Sequence, residues 1–254
     1  MTLRQYVRRV KNRVFLTIFQ LQNSKKDQFE CPVCGYCGPF MDVVPSTGLR
    51  KHAKCPKCNA QERHRIQFVV LNDVLKDMAT NKMAMLHFAP ESFFKYYFSE
   101  RFGQYETADL NMKGVDHQVD LQRLPFDDDS YDFLFASHVL EHVPDDEKAI
   151  SEIRRILKPK GIAILPVPIL SEKTIEYPEP NPYEAYHVRA PGFDYFMRYE
   201  RYFSKVERYS SDSLPKKYQL FVFEDRRHWP TKEIPLRPSM QGDKHIDIVP
   251  VCYA

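Results

Sequence analysis

The sequence predicts an α/β protein, a mostly parallel sheet covered by helices on both faces, with a small cysteine-rich appendage at the N-terminal end. Three observations carry this prediction. Short apolar runs alternate with helical ones from residue 83 to residue 167, the pattern of a parallel sheet buried on both sides. Two Cys-x-x-Cys pairs, Cys31/Cys34 and Cys55/Cys58, precede that region. A chain of 254 residues, 43% hydrophobic and 28% charged, has room for one large domain and a small one. The same composition excludes collagen-like, disordered and membrane-embedded classes.

The N-terminal segment, residues 1–26, reads as a basic amphipathic helix. Leu3, Tyr6, Val7, Val10, Val14, Ile18 and Leu21 recur at three- and four-residue steps, opposite Arg4, Arg8 and Lys11. Its stripe is expected to pack on its own protein; peripheral contact with an anionic membrane is the alternative. Val14 to Leu21 mimics a secretory signal, but QNSKKD follows instead of a small-residue cleavage site. A cytoplasmic protein with reduced thiols and no transmembrane segment is expected. The net charge of +3 is unevenly spread: residues 1–80 hold 14 basic and 6 acidic side chains.

Residues 27–64 read as a zinc ribbon. The two cysteine pairs are separated by 20 residues, and four thiolates presented by two tight turns are the donor set of tetrahedral zinc, with a β-hairpin between them. The metal supplies folding energy to a segment too small for its own core. Arg50, Lys51, Lys54 and Lys57 are placed to moderate the thiolate charge. A redox role fits less well, since neither pair lies between a strand and a helix. Cys37 and Cys252 are expected to be spectators, and His52 and His64 to lie at the surface.

From Arg65 a helical pattern leads into the large domain, 65–254. Strands are expected at 83–88, 104–110, before Asp120, at 131–137 and at 161–167, with helices from about Glu91 and over 145–157. A further helix follows residue 190, and KVERY with YQLFVFED forms a closing hairpin. Ligands of open α/β sheets bind beyond the carboxyl ends of strands where strand order reverses. The residues following each strand are therefore the candidates: Ala89, Pro90, Glu91 and Ser92; Asp109 and Leu110; Asp120 and Leu121; Ser137 and His138, then Glu141 and His142. Asp109, at the tip of the second strand, is the acid placed to receive a ribose diol. Pro90 suits a first helical position and Glu91 the positive end of that helix. The run Asp127 to Asp129 reads as a solvated turn.

LPFDDDSYDFLFASHVLEHVPDDEKAISEIRRILKPKGIAIL, residues 124–165, resembles the central part of class I S-adenosylmethionine-dependent methyltransferases. Glu62-Arg63-His64-Arg65, Leu86 to Glu91, and Tyr186-His187-Val188-Arg189 with Asp194 extend the resemblance to a subgroup bearing an N-terminal zinc ribbon, over roughly residues 30–225. The resemblance implies a Rossmann-like seven-stranded sheet whose last strand runs antiparallel. It also implies S-adenosylmethionine contacts from His87, Ala89, Pro90, Glu91, Asp109, Leu110, Asp120, Leu121, Ser137 and His138. One departure stands out: the family's Gly-rich loop after the first strand is replaced by HFAPE, and glycine there lets the backbone approach the cofactor.

The activity implied is methyl transfer to a hydroxyl or amine of a small-molecule or glycan-like acceptor. His138 and His187 are the candidate general bases, and Arg189 a contact to a polar or anionic acceptor or to a lid. The segment 166–191, rich in proline and tyrosine, stands where an acceptor loop would lie, with Tyr183 and Tyr186 available for stacking. Two alternatives remain: an RNA acceptor docked by the basic end, and a non-catalytic binding module with a degenerate cofactor site.

Overall fold

Runs of apolar residues long enough only for strands, each followed by a helix or turn, build a seven-stranded sheet. The structure, a computed structural model, describes residues 3–45 and 48–254, with the side chains of residues 1–9 outside the description. The chain folds as two compact units: residues 1–71, 211–225 and 243–247 form one, and residues 72–210, 226–242 and 248–254 the other. This differs from the expected division after residue 64, because strand and loop segments from the C-terminal third complete the first unit.

In the first unit, α1 (Leu3–Gln22) is followed by β1 (Phe29–Glu30), β2 (Cys37–Gly38), β3 (Met41–Val43), β4 (Arg50–Lys54) and α2 (Glu62–Leu75). β1 pairs with β2, and β3 with β4, all antiparallel. The expected hairpin between the cysteine pairs is therefore present. The expected self-packing of α1 is not: Val10, Val14, Phe15, Ile18 and Leu21 are 44–71% exposed, while Leu3, Tyr6 and Val7 of the same stripe lie outside the described side chains. The helix is tied instead through polar groups, Gln20 Nε2 donating to the Cys37 carbonyl at 3.0 Å. His64, expected at the surface, is 9% exposed and accepts the Gln61 N–H on Nδ1.

In the second unit lie β5 (Ala84–Phe88), α3 (Ser92–Ser99), β6 (Gln104–Asp109), β7 (His117–Gln118), β8 (Tyr131–Ala136), α4 (Asp146–Ile156) and β9 (Leu157–Ile164). After them come the hairpin β10 (Ile175–Asn181) and β11 (His187–Ala190), then β12 (Lys205–Ser210) and β14 (Ile248–Tyr253); β13 (Phe223–Glu224) belongs to the first unit. The sheet order is β12-β14-β9-β8-β5-β6-β7. β5 to β9 are mutually parallel, and β14 runs antiparallel to both β9 and β12. The α/β class and the antiparallel last strand are as expected.

The expected strand before Asp120 is present as the two-residue β7, paired parallel to β6. One expectation fails: YQLFVFED does not close the sheet. Its Phe223–Glu224 pairs with β4 in the first unit, and Ile248–Tyr253 takes the sheet position instead. The Leu157 to Gly161 turn is a bulge inside β9, Lys160 adopting φ 70°.

β5 is buried along its whole length, as a central parallel strand covered on both faces must be. Alternation sends Leu86 and Phe88 to one face and His87 to the other. There His87 sits among Phe98 and Phe135, with centroid distances of 5.1 and 5.3 Å, 1% exposed, its Nδ1 paired with the Tyr105 hydroxyl at 2.9 Å. It is a core residue. α4 begins at Asp145, whose carboxylate accepts the Lys148 N–H, carries Asp146 and Glu147 in its first turn and Arg154 and Arg155 in its last, each sign matching the helix dipole. Its buried stripe of Ala149, Ile150, Ile153 and Ile156 has the helical three- and four-residue spacing.

Burial lowers the His87 imidazole to about 3, whereas an unfolded histidine titrates near 6.5. The unfolded chain thus binds the extra proton first, so this group's stabilisation is full above about pH 6.5 and is lost as pH falls toward 3, by about 1.4 kcal/mol per unit. Chemical denaturation of His87→Phe between pH 7 and 4 is expected to show a shallower loss of stability than the parent chain. Parallel pH profiles would contradict the burial of a neutral imidazole.

Candidate functional site

The thiol cluster of the first unit is built by two turns of the same design. Gly35 N–H donates to Cys31 O, and Asn59 N–H to Cys55 O, both at 2.9 Å. Gly35 and Asn59 take left-handed φ values of 66° and 65°, which glycine and asparagine tolerate best. The four sulfurs converge: Cys31 to Cys58 is 3.6 Å and Cys34 to Cys55 is 3.7 Å, all four within 4.8 Å of one another. Zinc with tetrahedral bonds of about 2.3 Å separates its sulfurs by about 3.8 Å, so the donor set fits that ion in number, kind and spacing. Cys37 is exposed and Cys252 is buried elsewhere, in β14.

The cation beside the thiols is Arg65, which the sequence reading did not single out for this part. It is fully buried, donates to Ala53 O, Ala60 O and Gln219 O at 2.6–2.9 Å, and stacks 4.4 Å over Phe40. Desolvation pushes its guanidinium down to about 10 against the opposing charge of Glu62 and the cysteines. Of the expected moderators, Arg50 pairs with Glu62 at 3.2 Å and Lys57 bonds the Cys34 carbonyl.

In the sheet unit, parallel register sets Phe88 beside Ala108 on one side and Ala136 on the other. The loops leaving β5, β6 and β8 therefore open at one edge, where strand order reverses. A cavity of about 430 Å³ lies there, within the usual range for a small-molecule site. Phe88, Ala89, Asp109, Leu110, Asp120, Leu121 and His138 line it, together with Val119, His142 and Val143. Ala89 adopts φ 45°, so the loop lacking glycine still makes the left-handed turn that glycine would favour, with the smallest available side chain. Asp109 Oδ1 accepts the N–H groups of Asn111 and Met112 at 2.7 Å. Its other oxygen, Oδ2, has no hydrogen-bond partner among the described residues. Asp120 is held by Gln122, whose backbone and side-chain nitrogens lie 2.9–3.2 Å from its carboxylate.

Several expected contacts are not brought to this cavity. His87 faces the aromatic core. Ser137, though adjacent to His138, is buried and does not line the wall. Pro90 stands before the cap and not at the first helical position, because Glu91 is the N-cap of α3.

His138 is held at φ 55° by its N–H, which donates to Pro166 O at 2.9 Å. A single 3-10 turn, Leu140–His142, follows. It sends Glu141 inward and His142 outward: Glu141 is 0% exposed, with its Oε1 3.4 Å from His138 Nδ1. His187, at the start of β11, meets His142 edge to face at 4.6 Å between centroids. Burial would drive the Glu141 carboxyl up, but the imidazoles of His138, His187 and His142 hold it below the usual range. Burial lowers the His187 imidazole to about 4, leaving it neutral near pH 7. The spacing His138-x-x-Glu141-His142 was the available sequence signal for this grouping.

Arg189, expected to contact an acceptor or a lid, is engaged with the protein itself. It is 2% exposed and donates to the carbonyls of Leu140, Val143 and Pro144 at 2.6–2.9 Å, with Glu176 and Asp146 as counter-charges at 3.0 and 3.5 Å. It holds the turn that forms the cavity wall. Tyr183 and Tyr186 are 39% and 67% exposed.

Residues 81–165 match the family described as methyltransferase domain. That match covers about a third of the chain, within the parallel part of the sheet. The chain is 39% identical over 62 residues to the demethylmenaquinone methyltransferase of Staphylococcus epidermidis, covering 24% of this chain and 25% of that protein. It is 35% identical over 77 residues to an uncharacterized 37.1 kDa protein in transposon TN4556 of Streptomyces fradiae, covering 30% and 22%. The matched stretch thus spans about a quarter of these relatives' length. An S-adenosylmethionine-dependent methyltransferase structure from Mesorhizobium loti aligns with a TM-score of 0.48 at 14% identity, over 76% of this chain and 100% of that one.

Arg189→Met is expected to lower stability by about 3 kcal/mol, the usual cost of breaking a buried ion pair from one side. Chemical denaturation reads it, and an unchanged midpoint would contradict the assignment of Arg189 as the anchor of this turn.

Proposed function

We propose that this protein transfers the methyl group of S-adenosylmethionine to a hydroxyl or amine of a small-molecule or glycan-like acceptor. In this account the sheet unit is the catalytic domain, and the cysteine unit is an appendage that folds around zinc held by Cys31, Cys34, Cys55 and Cys58. The observation that carries the proposal is the cavity at the strand-order reversal, with Asp109 on its wall and one carboxylate oxygen uncommitted.

The residues present suit that cofactor. Asp109 Oδ2 is the acceptor for the ribose hydroxyls, Val119 and Leu121 supply an apolar surface for the adenine beside Asp120, and Ala89 lets the backbone turn close to the methionine portion. When bound, the cofactor supplies a methyl group already activated on a positively charged sulfur. What remains for the protein is alignment, which carries most of the rate in such a displacement, and removal of the acceptor's proton. His138 is the base: its Nδ1 faces Glu141, which leaves Nε2 to take the proton of the attacking hydroxyl or amine. Arg189 acts through the turn it anchors, as a positioning residue.

Titration calorimetry is expected to give one S-adenosylmethionine bound per chain, weakened about tenfold or more in Asp109→Ala, since hydrogen bonds to a charged group contribute about 1.5–3 kcal/mol. Full-affinity binding by that variant would remove the ribose assignment. His138→Ala is expected to keep cofactor affinity and lose about 10²-fold or more in turnover; wild-type turnover would rule it out as the base.

A further inference from the structure

We propose that Glu141, His142 and His187 bind a divalent first-row transition-metal ion at the rim of the cavity. One carboxylate oxygen and one nitrogen of each imidazole lie within 4.8 Å of one another. Among the described residues, neither oxygen of the fully buried Glu141 has a hydrogen-bond partner, and His187 Nδ1 is buried without one. His138 Nδ1 lies 3.4 Å from Glu141 Oε1. A buried carboxylate in that condition is costly unless a cation compensates it.

The backbone is bent to bring the three groups together. Ala185 and Tyr186 adopt successive left-handed φ values of 51° and 61° immediately before His187, and the 3-10 turn sets Glu141 and His142 side by side. The ribose contact expected of Asp109 does not use this trio, and Glu141 also faces His138 Nδ1.

Two imidazoles and one carboxylate are the donor set that suits zinc, iron(II) or manganese(II), with positions left open for other ligands. His142 also lines the cavity, so those open positions face the space an acceptor occupies. An ion there acidifies a coordinated acceptor hydroxyl, whose proton passes to His138. That use rests on the methyl-transfer reading; the binding of the ion does not.

Equilibrium dialysis against Zn²⁺, followed by metal analysis, separates this centre from the thiol cluster. The intact chain is expected to retain two zinc ions. Cys58→Ser is expected to lose one, and His142→Ala, His187→Ala and Glu141→Gln each to lose the other. His142 is exposed, so its replacement leaves the fold intact, and the Glu141→Gln change preserves side-chain volume. A single zinc in the intact chain, or two in all three trio variants, would overturn the site. The count is made without cofactor, so absence of S-adenosylmethionine binding in calorimetry would strike the methyl-transfer reading and leave this result standing.

Discussion

The buried guanidinium of Arg189 is the interaction on which the rest of the candidate site depends. Three carbonyls of one short turn point at it, and two carboxylates neutralise it. A cation taken out of water is tolerated only when its donors and its charge are matched in this way. The consequence is local rigidity. With Leu140, Val143 and Pro144 fixed, Glu141 faces inward, His142 faces outward, and the wall beside His138 is set. Asp146 extends the same network to the Tyr195 hydroxyl and to Arg198, each at 2.6 Å, so the start of α4 and the segment after β11 share one set of charges.

The cysteine unit solves its stability problem by the same device. Arg65 is buried, satisfied by backbone carbonyls from three separate stretches, and stacked on an aromatic ring. Its carbonyl partners include Gln219, far along the chain, which is how a segment from the C-terminal third comes to complete a unit begun near the N-terminus. A ribbon of two- to five-residue strands offers little apolar burial. Cross-links between distant backbone segments, together with a four-cysteine cluster of zinc spacing, add to the small core of Phe40, Ile66, Val70 and Leu71.

The parts of the fold written in local pattern were legible in the sequence. β5, β6, β8 and α4 lie within a residue or two of their expected ranges because apolar runs, an Asp N-cap and charged helix ends are short-range signals. β14 was not legible. Pro250 argues against a central strand, but it pairs with Arg208 of β12, while pairing with β9 begins only at Val251. Its missing N–H therefore interrupts no bond to β9. YQLFVFED looked the better strand, yet its two paired residues serve β4. At the site, Asp109, Asp120 and Leu121 were readable from position relative to strands, whereas the fate of His87 depended on which face of β5 it occupied. The role of Arg189 depended on carbonyls from a turn distant in sequence, and the proximity of His187 to Glu141 on a hairpin whose geometry comes from two left-handed residues. Ala89 shows the converse: the missing glycines suggested a lost loop, and the backbone makes the turn without them.

In the proposed function, the edge formed by the loops after β5, β6 and β8 is a cofactor site organised by Asp109 and the anchored turn. A crystal structure of the protein with S-adenosylhomocysteine is the decisive measurement. Expected are the ribose hydroxyls on Asp109 Oδ2, the adenine against Val119 and Leu121, and His138 Nε2 facing the sulfur across the cavity. Ligand density at another edge of the sheet, or a ribose with no contact to Asp109, would contradict it.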